Sequence, residues 1–422
     1  MRRLLWRVLV VTAALAIIAG IGWDLYGGSS REQYEARVAA LRAAGQPTRL
    51  EDLATPPIPD EENGAKLLEQ AHRVLEDRRR APGSADDLLY KQERSAEENA
   101  AIATYLDSLK PYFDMLAQVP QRPGWRLELD WKAGINMRVD LYAQLSDARQ
   151  YVVARVETDP LEAGRTERAA HAAVLMLALG AKCRGPFLIG HLVAESVTSD
   201  VEEILRTALR RPGFDAALFR RIVDPPLARS IPERWPLRSV FAQERAFLIS
   251  AVEAIRAGAP YPDQGEERTI SFFRLPRLYQ GANRELDVVE KAIERSDATA
   301  EDAIAAAKEL DAGPGSNDPW FGVPGKVYSR TFLVFADNVA SRRLMRIAMA
   351  LLEHRQRNGA WPESLAELGE MPMDPYSRAP FRYERTEGGC KVRAAKDDAP
   401  EELEERFLAW TLRDDQIPAM AR

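Results

Sequence analysis

Cysteine and histidine are scarce in this 422-residue sequence, which contains two cysteines and four histidines. Cys183 and Cys390 lie 207 positions apart, and two cysteines at that spacing do not form a zinc-binding motif. In an oxidising compartment they could form one disulfide, and the sequence leaves this pairing open. No two histidines lie within four residues of each other, which excludes the paired histidines of helical metal sites. We therefore predict no metal site.

Motifs of several enzyme classes are also missing. There is no Gly-x-Ser-x-Gly nucleophile elbow. The Gly325-Lys326 pair is followed by Val327, where a phosphate-binding loop requires serine or threonine. The sequence therefore leaves the catalytic residues unknown and predicts no cofactor.

A few acidic residues and histidines remain as candidate acid–base groups. Two histidines each lie four residues from a glutamate on a predicted helix, in the pairs His191–Glu195 and Glu167–His171. Each pair could be catalytic or an ordinary contact on a helix surface. Glu128 and Asp130 would share one face of an extended chain, as the paired carboxylates of a glycoside hydrolase could.

A basic surface is absent as well. The formal net charge is −6, and without residues 1–25 the balance is 55 basic against 63 acidic residues, or −8. This balance argues against a nucleic-acid partner, which requires a basic footprint. Short arginine clusters such as Arg342-Arg343 are interpreted as solvated helix surface. A hydrophobic content of 46% predicts a folded body, and the length suggests roughly two or three domains.

Only one long apolar run is present, at the N-terminus. Residues 4–23 approach the length of about 20 residues that spans a bilayer as a helix. Arg2, Arg3 and Arg7 precede the uncharged part of this run, and Asp24 follows it. Residues 1–25 are therefore predicted to be a transmembrane anchor or a cleaved signal peptide. The positive-inside rule places the N-terminus in the cytoplasm and the body outside the inner (cytoplasmic) membrane, in the periplasm.

Apolar residues at helical spacing recur through most of the body. Helices are predicted at 30–44, 65–80, 95–118, 136–157, 165–182, 187–211, 237–257, 284–295, 299–311 and 328–357. The Pro-rich segment 225–236 is interpreted as a connector. The spacing is too irregular for a regular helical repeat. The predicted fold is mainly α, with an irregular multi-helix domain at 26–327.

The segment 328–422 is predicted to be a long helix followed by a small antiparallel β-meander. Asn358-Gly359 ends the helix, and Pro362 opens a short helical turn. A hairpin is predicted around Gly388-Gly389, and 406–413 supplies a third strand.

This C-terminal pattern resembles a known module. The matching residues are Asn358, Gly359, Trp361, Pro362, Leu365, Leu368, Asp374, Pro375, Tyr376 and Tyr383. Residues 336–413 thereby resemble the C-terminal region of the major pseudopilins of type II secretion, as it occurs at the end of long membrane-anchored bacterial proteins. The chain departs from the family in lacking its leader and in inserting about 300 residues before the module. Asp397 and Asp398 stand at the place of the family's calcium loop, without its glycines. The resemblance implies a structural module, not an activity.

These observations predict a non-catalytic scaffold or binding protein of the bacterial envelope, with an envelope protein as a possible partner. The alternatives are an envelope hydrolase with dispersed carboxylates and a histidine, and an accessory protein of a secretion or pilus-like system. A deep pocket with His191 or His171 beside a carboxylate would favour the hydrolase, whereas a shallow apolar groove along the helices would favour binding. Five tryptophans in or near turns could line such a groove or pin loops onto helices: Trp125, Trp131, Trp235, Trp320 and Trp361.

Overall fold

The fold is mainly α-helical, with one small sheet near the C-terminus. The computed structural model describes residues 28–91, 93–131, 133, 137, 139–184, 187–232, 234, 237–258, 275–312, 324–396 and 409–413. The proposed membrane segment 1–25 lies outside these residues. Among the helices that are described, none is long and apolar enough to cross a membrane.

Twelve α-helices occur in the described ranges. They are α1 (28–43), α2 (Gly64–Arg79), α3 (Ala96–Ser108), α4 (Lys110–Gln118), α5 (Leu141–Glu157), α6 (Arg165–Lys182), α7 (Leu188–Leu209), α8 (Ala216–Ser230), α9 (Arg238–Arg256), α10 (Leu275–Arg295), α11 (Ala300–Asp311) and α12 (Pro324–Asn358). Polar side chains begin several of them. Asn63 caps α2, and Ser95 with Glu98 forms a capping box on α3, which satisfies amide groups that lack a partner within the helix.

Prolines account for two differences from the predicted helices. The segment 95–118 is two helices and not one, because Pro111 has no amide hydrogen to donate to the preceding turn. Conversely, the predicted connector at 225–236 is wrong in its first half, because α8 continues through Pro225 and Pro226. Packing of α8 on α6 and α12, with Leu227 buried, overrides the cost of the missing hydrogen bonds.

One helix differs in its start. α10 begins at Leu275, nine residues before the predicted start at 284. Residues 126–130, between α4 and α5, form an extended connector. The side chain of Asn63 holds this connector by donating to the Arg126 carbonyl and accepting from the Arg126 amide.

The predicted meander is confirmed. β1 (Arg382–Thr386), β2 (Gly389–Arg393) and β3 (Ala409–Arg413) form an antiparallel sheet in the order β1-β2-β3. The turn between β1 and β2 uses Gly388, whose φ of 82° favours glycine. Trp410 is buried beneath the guanidinium of Arg206 on α7, whose carbon lies 4.2 Å from the ring centroid. The sheet is thereby attached to the helical core.

The two cysteines do not form a disulfide. Cys183 lies at the end of α6 and Cys390 lies in β2, and both are buried thiols. Burial raises the pKa of the Cys183 thiol above its ordinary range, so this side chain behaves as a small apolar group.

α6 and α7 pack closely at Gly180. A Cβ atom added at this position would lie 2.1 Å from the Oγ1 of Thr198 and 2.8 Å from the carbonyl oxygen of Ala194. Neither distance is compatible with the present spacing of the helices, so glycine is required here for steric reasons.

We expect Gly180→Ala to lower the free energy of unfolding by about 1–3 kcal/mol, the usual cost of overpacking. Helix propensity alone acts in the opposite direction by about 1 kcal/mol, so the sign of the effect separates the two causes. Urea unfolding would measure it. Gly28→Ala is the control, because no atom lies within 4 Å of its added Cβ. A Gly180→Ala chain more stable than wild type would contradict the proposed close contact.

Candidate functional site

The residues of the pseudopilin resemblance lie where α12 meets the sheet. Gly359 ends α12 with a φ of 71°, as a helix-terminating glycine does. Trp361 is buried in the largest hydrophobic cluster together with Leu365. The Tyr383 hydroxyl donates to the carbonyl of Pro362 at 2.8 Å. These contacts attach the loop after α12 to the core and to the sheet. Asp397 and Asp398 lie outside the described residues.

Asp374 is fully buried in the same region, where α12 meets the sheet. Its carboxylate accepts hydrogen bonds from the backbone amides of Tyr376 and Ala395 at 3.0 and 2.7 Å and from the Ser377 hydroxyl at 3.0 Å. Its own amide donates to the carbonyl of Ala379 at 2.8 Å. Asp374 therefore connects the loop after α12 to the end of β2.

His191 and Glu195 are both buried on α7, and Glu195 is already paired. Arg342 donates one hydrogen bond to the Glu195 carboxylate and another to the Ser230 carbonyl, the latter at 2.6 Å. Arg184 adds a second ion pair to Glu195 at 3.4 Å. Two guanidinium groups thus form ion pairs with the Glu195 carboxylate.

The prediction that Arg342 and Arg343 both lie on a solvated helix surface is wrong for Arg342. Arg342 is only 6% exposed. Burial lowers the pKa of its guanidinium, and the carboxylate of Glu195 acts in the opposite direction. The sequence offered no local sign of this pair, since 147 positions separate its members.

The remaining candidate acid–base groups do not assemble into a site. His171 and Glu167 are both exposed on α6, and no ion pair of His171 occurs in the described part of the chain. Glu128 and Asp130 are likewise exposed. Lys66 forms an ion pair with Glu128 at 3.2 Å, so these carboxylates are not an isolated catalytic pair.

A small polar pocket of about 270 Å³ lies beside His191. Trp125 and Trp131 line it together with Arg184 and Gln243, so two of the predicted tryptophans do meet at one pocket. Trp235 and Trp320 lie outside the described residues. The carboxylate nearest in sequence to His191 is Glu195, which is held by arginines, and this weakens the pocket as a hydrolytic centre.

An acidic cluster that the sequence analysis missed lies between α2 and α5. The ligand atoms of His72, Glu76 and Asp147 lie within 4.8 Å of one another, as in a metal site. The Arg79 guanidinium, however, contacts both carboxylates, with Asp147 bound at 2.9 and 3.0 Å and Glu76 at 2.8 Å. Because the cation of this cluster is Arg79 itself, we interpret it as structural.

A partly open groove of about 540 Å³ lies between α3, α4, α5 and α6, and is here called the α3–α6 groove. Its floor is apolar, and comprises Leu106, Phe113, Val152, Ala169, Ala172 and Leu175. The volume lies in the range of about 300–1,000 Å³ that small-molecule sites occupy. His171 is at its edge.

Charged side chains surround this floor, and some of them are neutralised within the protein. Arg168 binds Asp159 at 2.7 Å and Lys110 binds Asp114 at 2.6 Å. Arg165 differs from these paired side chains. Its Nε is buried and has no hydrogen-bond partner among the described residues. No local pattern in the sequence marks this groove, because four helices contribute to it.

Comparison of the chain with protein-family models, with curated proteins and with solved structures gives no match. Function must therefore be argued from the geometry of the cavities and the charges around them.

Proposed function

We propose that this chain is a non-catalytic binding protein of the bacterial envelope, and that the α3–α6 groove is its binding site. The observation that carries the proposal is the apolar floor of the groove, open along four helices and bordered by a few charged groups. Small-molecule sites combine an apolar lining with a small number of polar groups in this way.

The location of the protein is part of the same proposal. The apolar run at 4–23, with arginines before it and Asp24 after it, supports a single membrane anchor with the body in the periplasm. A reporter that is active only outside the cytoplasm, fused after residue 40, tests this topology. An inactive fusion that is nevertheless produced, with activity of a cytoplasm-specific reporter fused at the same position, would overturn it.

The hydrolase remains the second hypothesis, because His191 borders a polar pocket. Pairing of Glu195 with Arg342 and Arg184 argues against it. An accessory role in a secretion or pilus-like system depends on the C-terminal resemblance alone. Neighbouring genes for secretion ATPases or secretins would support that role.

A substitution that fills the groove tests the binding proposal. Ala117 is exposed at the edge of the groove, so Ala117→Trp should occupy the cavity with little loss of stability. We expect the full-length chain to bind the neutral fluorescent probe N-phenyl-1-naphthylamine, and Ala117→Trp to weaken this binding about tenfold or more.

Ala101→Trp is the matched control, since Ala101 is equally exposed on α3 but does not line the groove. Its probe affinity should equal that of wild type. Equal binding by the Ala117→Trp chain would mean that the groove is not the binding site.

A further inference from the structure

We propose that the ligand of the α3–α6 groove is a single-chain aliphatic carboxylate, whose chain lies on the apolar floor and whose head group binds Arg155 and Arg165. This inference rests on the proposed function and specifies its ligand. It derives from the state of the two arginines and from the charge that remains around the groove.

Arg165 begins α6 and lines the groove. Its Nε–H is buried, and none of the described residues accepts a hydrogen bond from it. A buried donor without an acceptor is unfavourable, more so on a charged group, and such a donor requires an explanation. The Nε–H is closed off in this conformer, so a carboxylate in the groove would supply the missing acceptor once the Arg165 side chain turns toward it; the two carboxylate oxygens then match the fork of the guanidinium.

Arg155 on α5 is held over the floor by an aromatic ring. Its guanidinium carbon lies 4.3 Å from the centroid of Phe113, and no carboxylate among the described residues pairs with it. The N–H groups of a guanidinium lie in its plane, so stacking on a ring leaves them able to donate. Arg155 thus offers a positive charge beside an apolar surface.

The charges that remain unpaired around the groove favour a monoanion. Asp159 and Asp114 are neutralised by Arg168 and Lys110. The lining then retains Arg155 and Arg165 against Asp107, which leaves a net charge of about +1. An uncharged amphiphile could accept a hydrogen bond from Arg165 but would leave this positive charge without a counter-charge. A group with two negative charges would exceed the local positive charge.

Displacement of N-phenyl-1-naphthylamine by decanoate and by 1-decanol tests the inference, because the two compounds share a chain and differ in charge. The full-length chain is used, and the Ala117→Trp chain is the blank for partition into the solubilising agent. We expect decanoate to displace the probe at a concentration at least tenfold lower than decanol does.

Replacing either arginine should weaken the binding of decanoate and not that of decanol. Arg155→Gln and Arg165→Gln should each weaken decanoate about tenfold and leave decanol unchanged. Arg210→Gln is the control, as Arg210 is exposed on the loop after α7, away from the groove, and its loss changes the net charge equally. Arg165→Lys keeps the charge but loses the fork, and should recover only part of the affinity.

Failure of the inference is distinguishable from failure of the proposed function. Equal displacement by decanoate and decanol, or an equal effect of the arginine variants on both, would overturn the carboxylate and leave the groove as a binding site. Probe binding that Ala117→Trp does not change would overturn the groove itself. A dimer that Ala117→Trp disrupts, without displacement by either compound, would assign the groove to a second copy of the chain.

Discussion

Replacing Arg342 by methionine is expected to lower the free energy of unfolding by about 3–5 kcal/mol, because it leaves Glu195 as a buried carboxylate without its closest cation. Arg184, at 3.4 Å from Glu195, and the amide of Asn338, also at 3.4 Å, are too distant to replace it fully. Methionine keeps much of the length of the arginine side chain, so the loss reports the ion pair more than a cavity. Urea unfolding at neutral pH measures the change.

Two further variants separate the causes. Arg343→Met, on the same helix as Arg342, removes a partly exposed pair with Glu301 of α11, and should cost about 1 kcal/mol or less. The double variant Arg342→Met with Glu195→Leu should recover much of the lost stability, because a well-packed apolar pair can replace a buried ion pair. If Arg342→Met cost no more than Arg343→Met, the buried pair would not be a main support of the α7–α12 contact.

Asp374→Ala is expected to cost about 3–5 kcal/mol, because it removes a fully buried carboxylate and leaves the partly buried amides of Tyr376 and Ala395 without an acceptor, at about 1–3 kcal/mol each. The Ser377 hydroxyl also loses its partner. Asp374→Asn should cost less, since its remaining oxygen can still accept from the Tyr376 amide. Thermal unfolding and hydrogen exchange at the Ala395 amide measure these effects.

Glu363→Ala is the control for Asp374, because Glu363 forms an exposed pair with Arg385 in the same region and exposed pairs contribute little. Faster exchange at Ala395 is expected in the Asp374 variants alone. Unchanged exchange at Ala395 in Asp374→Ala would show that the carboxylate does not hold this loop to β2.

Much of the fold follows from local patterns. The spacing of apolar residues predicted most helices, and Gly388-Gly389 predicted the hairpin with the correct partner strands. The failures have physical causes. Pro225-Pro226 would end a helix in isolation, but packing of α8 on two neighbouring helices retains it. Pro111 divides a segment whose apolar spacing alone predicted one helix.

The candidate site was much less predictable. His171 and Glu167 satisfied the spacing rule for a helical pair, yet neither side chain contributes to a catalytic arrangement. Arg155 and Arg165, which the carboxylate proposal needs, occur in no motif. Their importance arises from which charges nearby are already paired, and ion pairs such as Arg342–Glu195 join residues 147 positions apart. Such pairing depends on tertiary contacts that a single sequence does not display.

The length of α12 has a consequence for how this protein can come apart. Its 35 residues extend over about 52 Å at 1.5 Å per residue. Phe332 and Phe335 at its beginning belong to one hydrophobic cluster, while Leu344 and Leu351 further along belong to another. Because α12 contributes side chains to both hydrophobic clusters, loss of packing in one cluster should destabilise the other. A proteolytic cut or truncation within α12 would expose residues of both clusters. The loop and sheet that follow α12 are therefore not an independently folding unit. Their removal without α12 would leave the apolar face of that helix uncovered.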